Sequence, residues 1–144
     1  MGFDEKGAQI ELNTRLIKSY LASFSAARPD DVLEHVHTEF ENIHLGVLAQ
    51  GCSGKVVYAK RLGDFLGAFI DIKYDILDVV ADEKKGSCRY QFRFKQNQQS
   101  FKVNGMMWFE FKGGLISRRI DCWDGLDYLK QAHSSAEMIE KIIS

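Results

Sequence analysis

The chain has 144 residues, 19 of them Lys or Arg and 20 Asp or Glu, for a formal charge of −1. That length suits one domain with one core, and a balanced charge without blocks of one sign excludes the footprint of a nucleic-acid or anionic-membrane binder. No apolar run approaches the ~18 residues of a membrane span, MGFDEKGAQ does not read as a secretory leader, and the three cysteines include no CxxC pair, so a cytoplasmic protein with reduced thiols and no metal or other cofactor is expected.

In chain order, Leu16, Ile17, Tyr20, Leu21 and Phe24 recur at one-turn spacing and predict an amphipathic helix over about 10–26, ended by Pro29. Pro29, followed by Asp30 and Asp31, suits the first turn of a short second helix reaching about Val36. Phe40 to Leu45 alternates as a short strand. The loop GVLAQGCSG leads to a third helix with Ser53 as N-cap and Val56, Val57, Phe65, Leu66 and Phe69 as apolar positions. The stretch GCSGK is too short for a phosphate loop, and Val56 stands where that motif needs Ser or Thr. IDIKYDILDVVAD predicts a long strand and DEKKGS a hairpin turn.

Residues 86–124 carry the clearest pattern. Cys88, Tyr90, Phe92 and Phe94 alternate with Arg89, Gln91, Arg93 and Lys95, the period of a strand with one wet and one dry face. After the turn NQQS, Phe101, Val103, Met107, Phe109 and Phe111 share one parity and Lys102, Asn104, Met106, Trp108 and Glu110 the other. Gly113-Gly114 allows a tight reversal into LISRRIDCWD, a further antiparallel strand. Helix, helix, strand, helix and four antiparallel strands define an α+β domain with helices on one face of a curved sheet. The whole chain, 1–144, reads as a single domain with its core over about 10–131. Ser134 and Glu137 match a capping box for a short tail helix within 132–144, where His133 is expected to be exposed. Trp108 on an otherwise polar parity predicts a homodimer through the sheet face bearing Arg89, Gln91 and Arg93.

The element order, the first-helix Tyr20, QGCSGK before the third helix and the ending GGLISRRIDCWD resemble the SnoaL-like branch of the nuclear transport factor two superfamily over about residues 10–131. In the family's last strand, glycine and isoleucine precede an aspartate–aromatic–aromatic–aspartate run; here these are Gly114, Ile116 and Asp121-Cys122-Trp123-Asp124, with Cys122 departing from the pattern. The resemblance implies a cystatin-like cone, its N-terminal helices packed on a curved, mainly antiparallel sheet that encloses a pocket, often in a dimer. It also implies an isomerase, cyclase or hydrolase acting by acid–base chemistry on an apolar carbonyl or cyclic compound, or a non-catalytic ligand-binding or assembly domain of the same fold.

Residue by residue, the resemblance places Tyr20 at an oxyanion donor, His44 at a general base or water-orienting position, Asn42 near the tyrosine of limonene epoxide hydrolase and Asp121 at an acid/base aspartate. Met107 stands where ketosteroid isomerase has a second oxyanion-hole acid, and Cys88 and Tyr90 where limonene epoxide hydrolase has its arginine and partner aspartate, so neither of those complete sites is expected. Asp121, His44 and Tyr20 are thus the candidate catalytic residues. Asn42, Tyr90, Phe92, Met107, Phe109 and Trp123 are the candidate walls for an apolar small molecule. Asp121→Asn is then expected to stop turnover and keep the fold. Each residue has an ordinary alternative: Asp121 a salt bridge to Arg118 or Arg119, His44 a structural strand histidine, the aromatics plain core. Strand parity alone groups Asp121 with Arg119 and Trp123, away from Ile116 and Ile120, and so turns it towards solvent; the resemblance turns it inward. His35 and His37 lack the i, i+4 spacing of a helical metal pair.

Overall fold

The computed structural model describes residues 2–46, 48–132, 137, 140 and 141. Helix α1 (Gly2–Ser23) continues through a 3₁₀ turn (Phe24–Ala26) to α2 (Pro29–Leu33). Strand β1 (Val36–His44), a two-residue strand β2 (Cys52–Ser53) and α3 (Lys55–Ala68) follow. The chain then runs through β3 (Ile70–Ala81), β4 (Lys85–Gln96), β5 (Gln99–Lys112) and β6 (Leu115–Trp123) to α4 (Gly125–Gln131). The six strands form one sheet in the order β2-β1-β6-β5-β4-β3, antiparallel except where β1 runs parallel to β6. β2 and β3 are its two edges, so the curved sheet stays open. The α+β architecture read from the sequence is the one observed.

The periodicities explain the packing. Asn13, Ile17, Tyr20, Leu21 and Phe24 are buried at helical spacing, and the rest of α1 is mostly exposed. The first two turns of α1 have no apolar stripe, which is why the predicted helix began only near residue 10. Asn13 is the one polar member of that stripe; its Nδ2 donates to the carbonyls of Asp82 and Glu83 and ties α1 to the β3–β4 hairpin. On β4 and β5 the dry parity is Cys88, Tyr90, Phe92, Phe94, Phe101, Val103, Met107 and Phe109, as the alternation predicts. The two-residue turn at Asn97-Gln98 and the reversal at Gly113-Gly114 both use positive φ, which glycine and asparagine accept more readily than most residues.

Several local expectations change. The second helix ends at Leu33, and β1 begins at Val36, four residues before the segment predicted over Phe40 to Leu45, and ends at His44. Ser53 is not an N-cap; it lies in β2, and Gly54 precedes α3 with φ 89°. The buried stripe of α3 is Tyr58, Leu62 and Leu66 at i, i+4 spacing, whereas Val56 and Val57 lie off that stripe and face solvent. Helix α4 was not foreseen. The Ser134 cap and the exposure of His133 lie outside the described residues.

Candidate functional site

β1 lies beside β6 in parallel register, with Asn42 opposite Arg119 and His44 opposite Asp121. Two strands nearly eighty residues apart in sequence therefore deliver these four polar side chains to one place. A bulge decides which way β6 presents them. Pairing slips between Glu110–Arg118 and Phe111–Ile116, so the inward parity shifts from Ile116 to Arg119, Asp121 and Trp123. Asp121 is 3% exposed and Arg119 4%, while Cys122 faces out. The solvent-facing reading from strict alternation is thus overturned, and both the inward carboxylate and the Arg119 salt bridge are present together.

The Arg119 guanidinium donates from Nη2 to Asp121 Oδ2 at 2.9 Å and from Nη1 to the Tyr20 hydroxyl at 2.8 Å. Tyr20 and Tyr58 share a hydrogen bond of 2.6 Å between their hydroxyls. Tyr90 donates to the other Asp121 oxygen, Oδ1, at 2.6 Å. Tyr90 reaches it by lying flat over Gly105, its partner across β4–β5; a Cβ at 105 would overlap the phenol. Burial first, and then the negative charge of Asp121, push the Tyr90 phenol well above the ordinary tyrosine range, so it serves as a donor and not as a phenolate.

His44 stands next to this network with Nδ1 3.9 Å from Asp121 Oδ2, and its Nε2 is 3.4 Å from the Asn42 amide nitrogen. Burial first, then the positive charges of Arg119 and Arg61, hold its pKa below the ordinary 6.5, against the opposing pull of Asp121. At neutral pH His44 is therefore uncharged and its contact with Asp121 is not an ion pair. Asn42 Oδ1 and His44 Nδ1 are buried without a hydrogen-bond partner. An unsatisfied buried polar atom costs about 1–3 kcal/mol, so such atoms mark a place where a ligand group would be welcome.

Because the unfolded chain binds a proton at His44 at higher pH than the folded chain does, the stability it contributes is present above pH 6.5 and lost as pH falls through that value towards the folded-state pKa. His44→Gln is expected to flatten the fall in melting temperature between about pH 7 and pH 5.5. An unchanged slope in the variant would show that other groups govern it.

These side chains border a cavity of about 400 Å³, within the usual size of small-molecule pockets. The sheet supplies Asn42, His44, Arg119 and Asp121 as a polar wall, and Tyr74, Tyr90, Phe92, Phe94, Val103 and Trp123 as an apolar floor. Opposite lie Phe24 and the α3 side chains Tyr58, Arg61, Leu62 and Phe65, while Leu48, Ala49 and Gln50 from the β1–β2 loop and Tyr128 from α4 complete the enclosure. Of the residues picked from the sequence, Asp121, His44, Asn42, Tyr90, Phe92 and Trp123 meet here. Tyr20, Met107 and Phe109 do not. All three are within 1% of complete burial; Tyr20 packs edge-on to Phe109, and its hydroxyl is taken up by Arg119 and Tyr58. Tyr20 therefore supports Arg119 from behind the wall instead of meeting a ligand. Tyr58, Arg61 and the Leu48–Gln50 segment were missed, and Arg119 was named only as a salt-bridge partner of Asp121. For Tyr58, its place four residues before Leu62 on the helical stripe was the available signal. Among the described residues no three His, Cys, Asp or Glu side chains are placed to share a metal ion, and no helix is long and apolar enough to cross a membrane.

The family of SnoaL-like domains matches residues 17–119. No curated protein matches the sequence. Among solved structures, a proposed polyketide cyclase from Xanthomonas campestris pv. campestris superposes with a TM-score of 0.75 at 17% identity, over 85% of this chain and 98% of the other. An LEH-like epoxide hydrolase of M. tuberculosis gives 0.75 at 16% identity, over 85% and 90%. A protein with a ketosteroid isomerase-like fold from Catenulispora acidiphila, in complex with trimethylamine, gives 0.76 at 10% identity, over 85% and 95%. At these identities the likeness is one of fold.

Proposed function

Since this chain belongs to the SnoaL-like domain family, we propose that its cavity binds an apolar, ring-bearing small molecule and that His44 moves a proton on it. The observation that carries the reading is the polar wall of an otherwise aromatic cavity, where Asn42 Oδ1 is buried with no protein partner beside the neutral ring of His44. A neutral imidazole is ready to accept a proton at physiological pH. With the Asn42 amide donating to Nε2 over a long 3.4 Å, the ring proton sits on Nδ1 and faces Asp121, and the Nε2 lone pair takes a substrate proton by giving up that contact. Asp121, fixed by Arg119 and Tyr90, makes no hydrogen bond to the ring and stabilises the imidazolium as it forms through its charge at 3.9 Å. The reactions open to such a pair are proton abstraction beside a carbonyl, as in an isomerase or cyclase, and activation of water, as in a hydrolase.

A second reading is binding without turnover. One observation favours it: both Asp121 oxygens are already engaged by protein donors, and the 3.9 Å gap to His44 is longer than a hydrogen bond. Mass spectrometry of the compound that co-purifies, followed by NMR of its exchange with deuterated water, separates the two. Proton transfer predicts exchange accelerated by the protein and slowed on the order of a hundredfold or more in His44→Gln. Tight binding with no exchange would establish the non-catalytic reading, and exchange unchanged in the variant would remove His44 as the base.

The outer sheet face is proposed to join two copies. Val80, Ser87, Trp108 and Ile120 lie in one row across β3, β4, β5 and β6, and Val80, Trp108 and the neighbouring Met106 are exposed. Light scattering is expected to give twice the 16.4 kDa chain mass, and Trp108→Glu to shift it towards one. A wild-type monomer at micromolar concentration would defeat the proposal.

A further inference from the structure

The cavity does not balance its own charge. Its charged lining residues are Arg61, Arg119 and Asp121, and Arg119 is spent on Asp121 at 2.9 Å. His44 is neutral at pH 7. Arg61 has no carboxylate within 4.0 Å among the described residues, so one positive charge is left over on the wall.

Arg61 is also held in position. It projects from α3, is exposed at the mouth of the cavity, and donates from Nη1 to the carbonyls of Gln50 at 3.2 Å and Gly51 at 3.0 Å. Those carbonyls belong to the loop that walls the cavity. The Nε and Nη2 donors make no hydrogen bond among the described residues, which leaves one edge of the planar fork to receive an oxyanion. Its field extends to the polar wall, where it contributes to keeping the proton off His44. A guanidinium anchored to backbone carbonyls, with its second edge unoccupied, at the rim of a pocket floored by Phe92, Phe94 and Val103, is a receptor for an acid with an apolar body.

We propose that the ligand is an organic anion, an apolar ring compound with one acidic group ionised at neutral pH, and that Arg61 is the charge partner that selects it. This rests on the small-molecule reading above and adds the class of molecule. The anion docks at the mouth on Arg61, the ring body fills the aromatic floor, and the reacting end reaches Asn42 and His44. Arg61 acts here as a specificity-determining residue.

The test pairs two probes of the same ring and nearly the same size, 2-naphthoate and 2-naphthamide, titrated by ligand-observed NMR. Wild-type protein is expected to bind the naphthoate at least about tenfold more tightly than the amide, with a preference that falls as salt is raised. Arg61→Gln should bring the ratio of the two affinities to about one by weakening the naphthoate far more than the amide. Arg61→Lys, which keeps the charge and loses the fork, should retain part of the preference. Equal binding by the wild type, or a preference that survives Arg61→Gln, would overturn the assignment while leaving the small-molecule reading intact. A parallel loss of both probes in Arg61→Gln and Arg61→Lys would make Arg61 a loop anchor only, and would overturn it too. If neither probe bound at millimolar concentration, the small-molecule reading would fall, and this inference with it.

Discussion

Asp121→Ala is expected to lower the unfolding free energy by about 3–5 kcal/mol, the usual cost of leaving a buried ion without its partner. The side chains of Arg119 and Asp121 are each 5% exposed, so water only partly compensates for the lost carboxylate. The guanidinium would keep only the Tyr20 and Tyr58 hydroxyls, and its Nε is already unpaired. Asp121→Asn retains the shape and an acceptor but not the charge, so it too is expected to destabilise, by less. Read from the sequence alone, this change is expected to spare the fold; the buried Arg119 beside Asp121 is the reason to expect a loss instead. A second variant isolates the cause. Adding Arg119→Met to Asp121→Ala should recover most of the loss, since replacing both members of a buried pair by apolar groups is often close to neutral. Urea denaturation measures both. A loss under about 1 kcal/mol for Asp121→Ala, or no recovery in the double variant, would mean that the pair is not a stabilising unit.

Gly105→Ala is the second large effect, expected at roughly 2–4 kcal/mol from overpacking together with a lost hydrogen bond to a charged group. The new methyl would meet the Tyr90 ring where it crosses β5, and moving the phenol would take its hydroxyl away from Asp121. The same glycine matters little if Tyr90 is absent. In a Tyr90→Leu background, Gly105→Ala should cost less than about 1 kcal/mol, a non-additivity that reports direct contact. Equal costs in both backgrounds would place the strain elsewhere, for instance in the backbone of β5.

Much of this architecture was legible because period-two and helical patterns survive into the fold wherever one face is wet. The alternation through Tyr90, Phe92 and Phe94, the Gly113-Gly114 reversal and the stripe from Ile17 to Phe24 each name their buried face directly. What escaped has a common physical origin in contacts between distant segments. A single bulge at the start of β6 reverses the parity that decides whether Asp121 points inward, and nothing in LISRRIDCWD marks it. Val56 and Val57 look like core and are not, because the face of α3 that packs inward is the Tyr58, Leu62 and Leu66 stripe, from which both valines are rotated away. Arg119 read as an exposed strand arginine; its burial requires Asp121, Tyr20 and Tyr58 to converge from β6, α1 and α3. Tyr20 lies in the neighbourhood the resemblance implies, but its hydroxyl accepts from Arg119 behind the wall, a contact no local pattern marks. The Leu48 side chain illustrates the same limit: it lies over Gly125, where an added Cβ would come within 2.9 Å, so a loop and a helix meet through a glycine no local pattern singles out.

Residence of a small molecule in the cavity between the sheet and α3 is the premise of the proposed function. Intermolecular NOEs from protons of 2-naphthoate, added in excess to the full chain, test this most directly. The predicted result is a set of contacts to the Val103 methyls and the Phe92 ring at the floor and to the His44 ring at the polar wall. Contacts confined to Val80, Met106 and Trp108 on the outer sheet face, or no contacts at saturating probe, would contradict it.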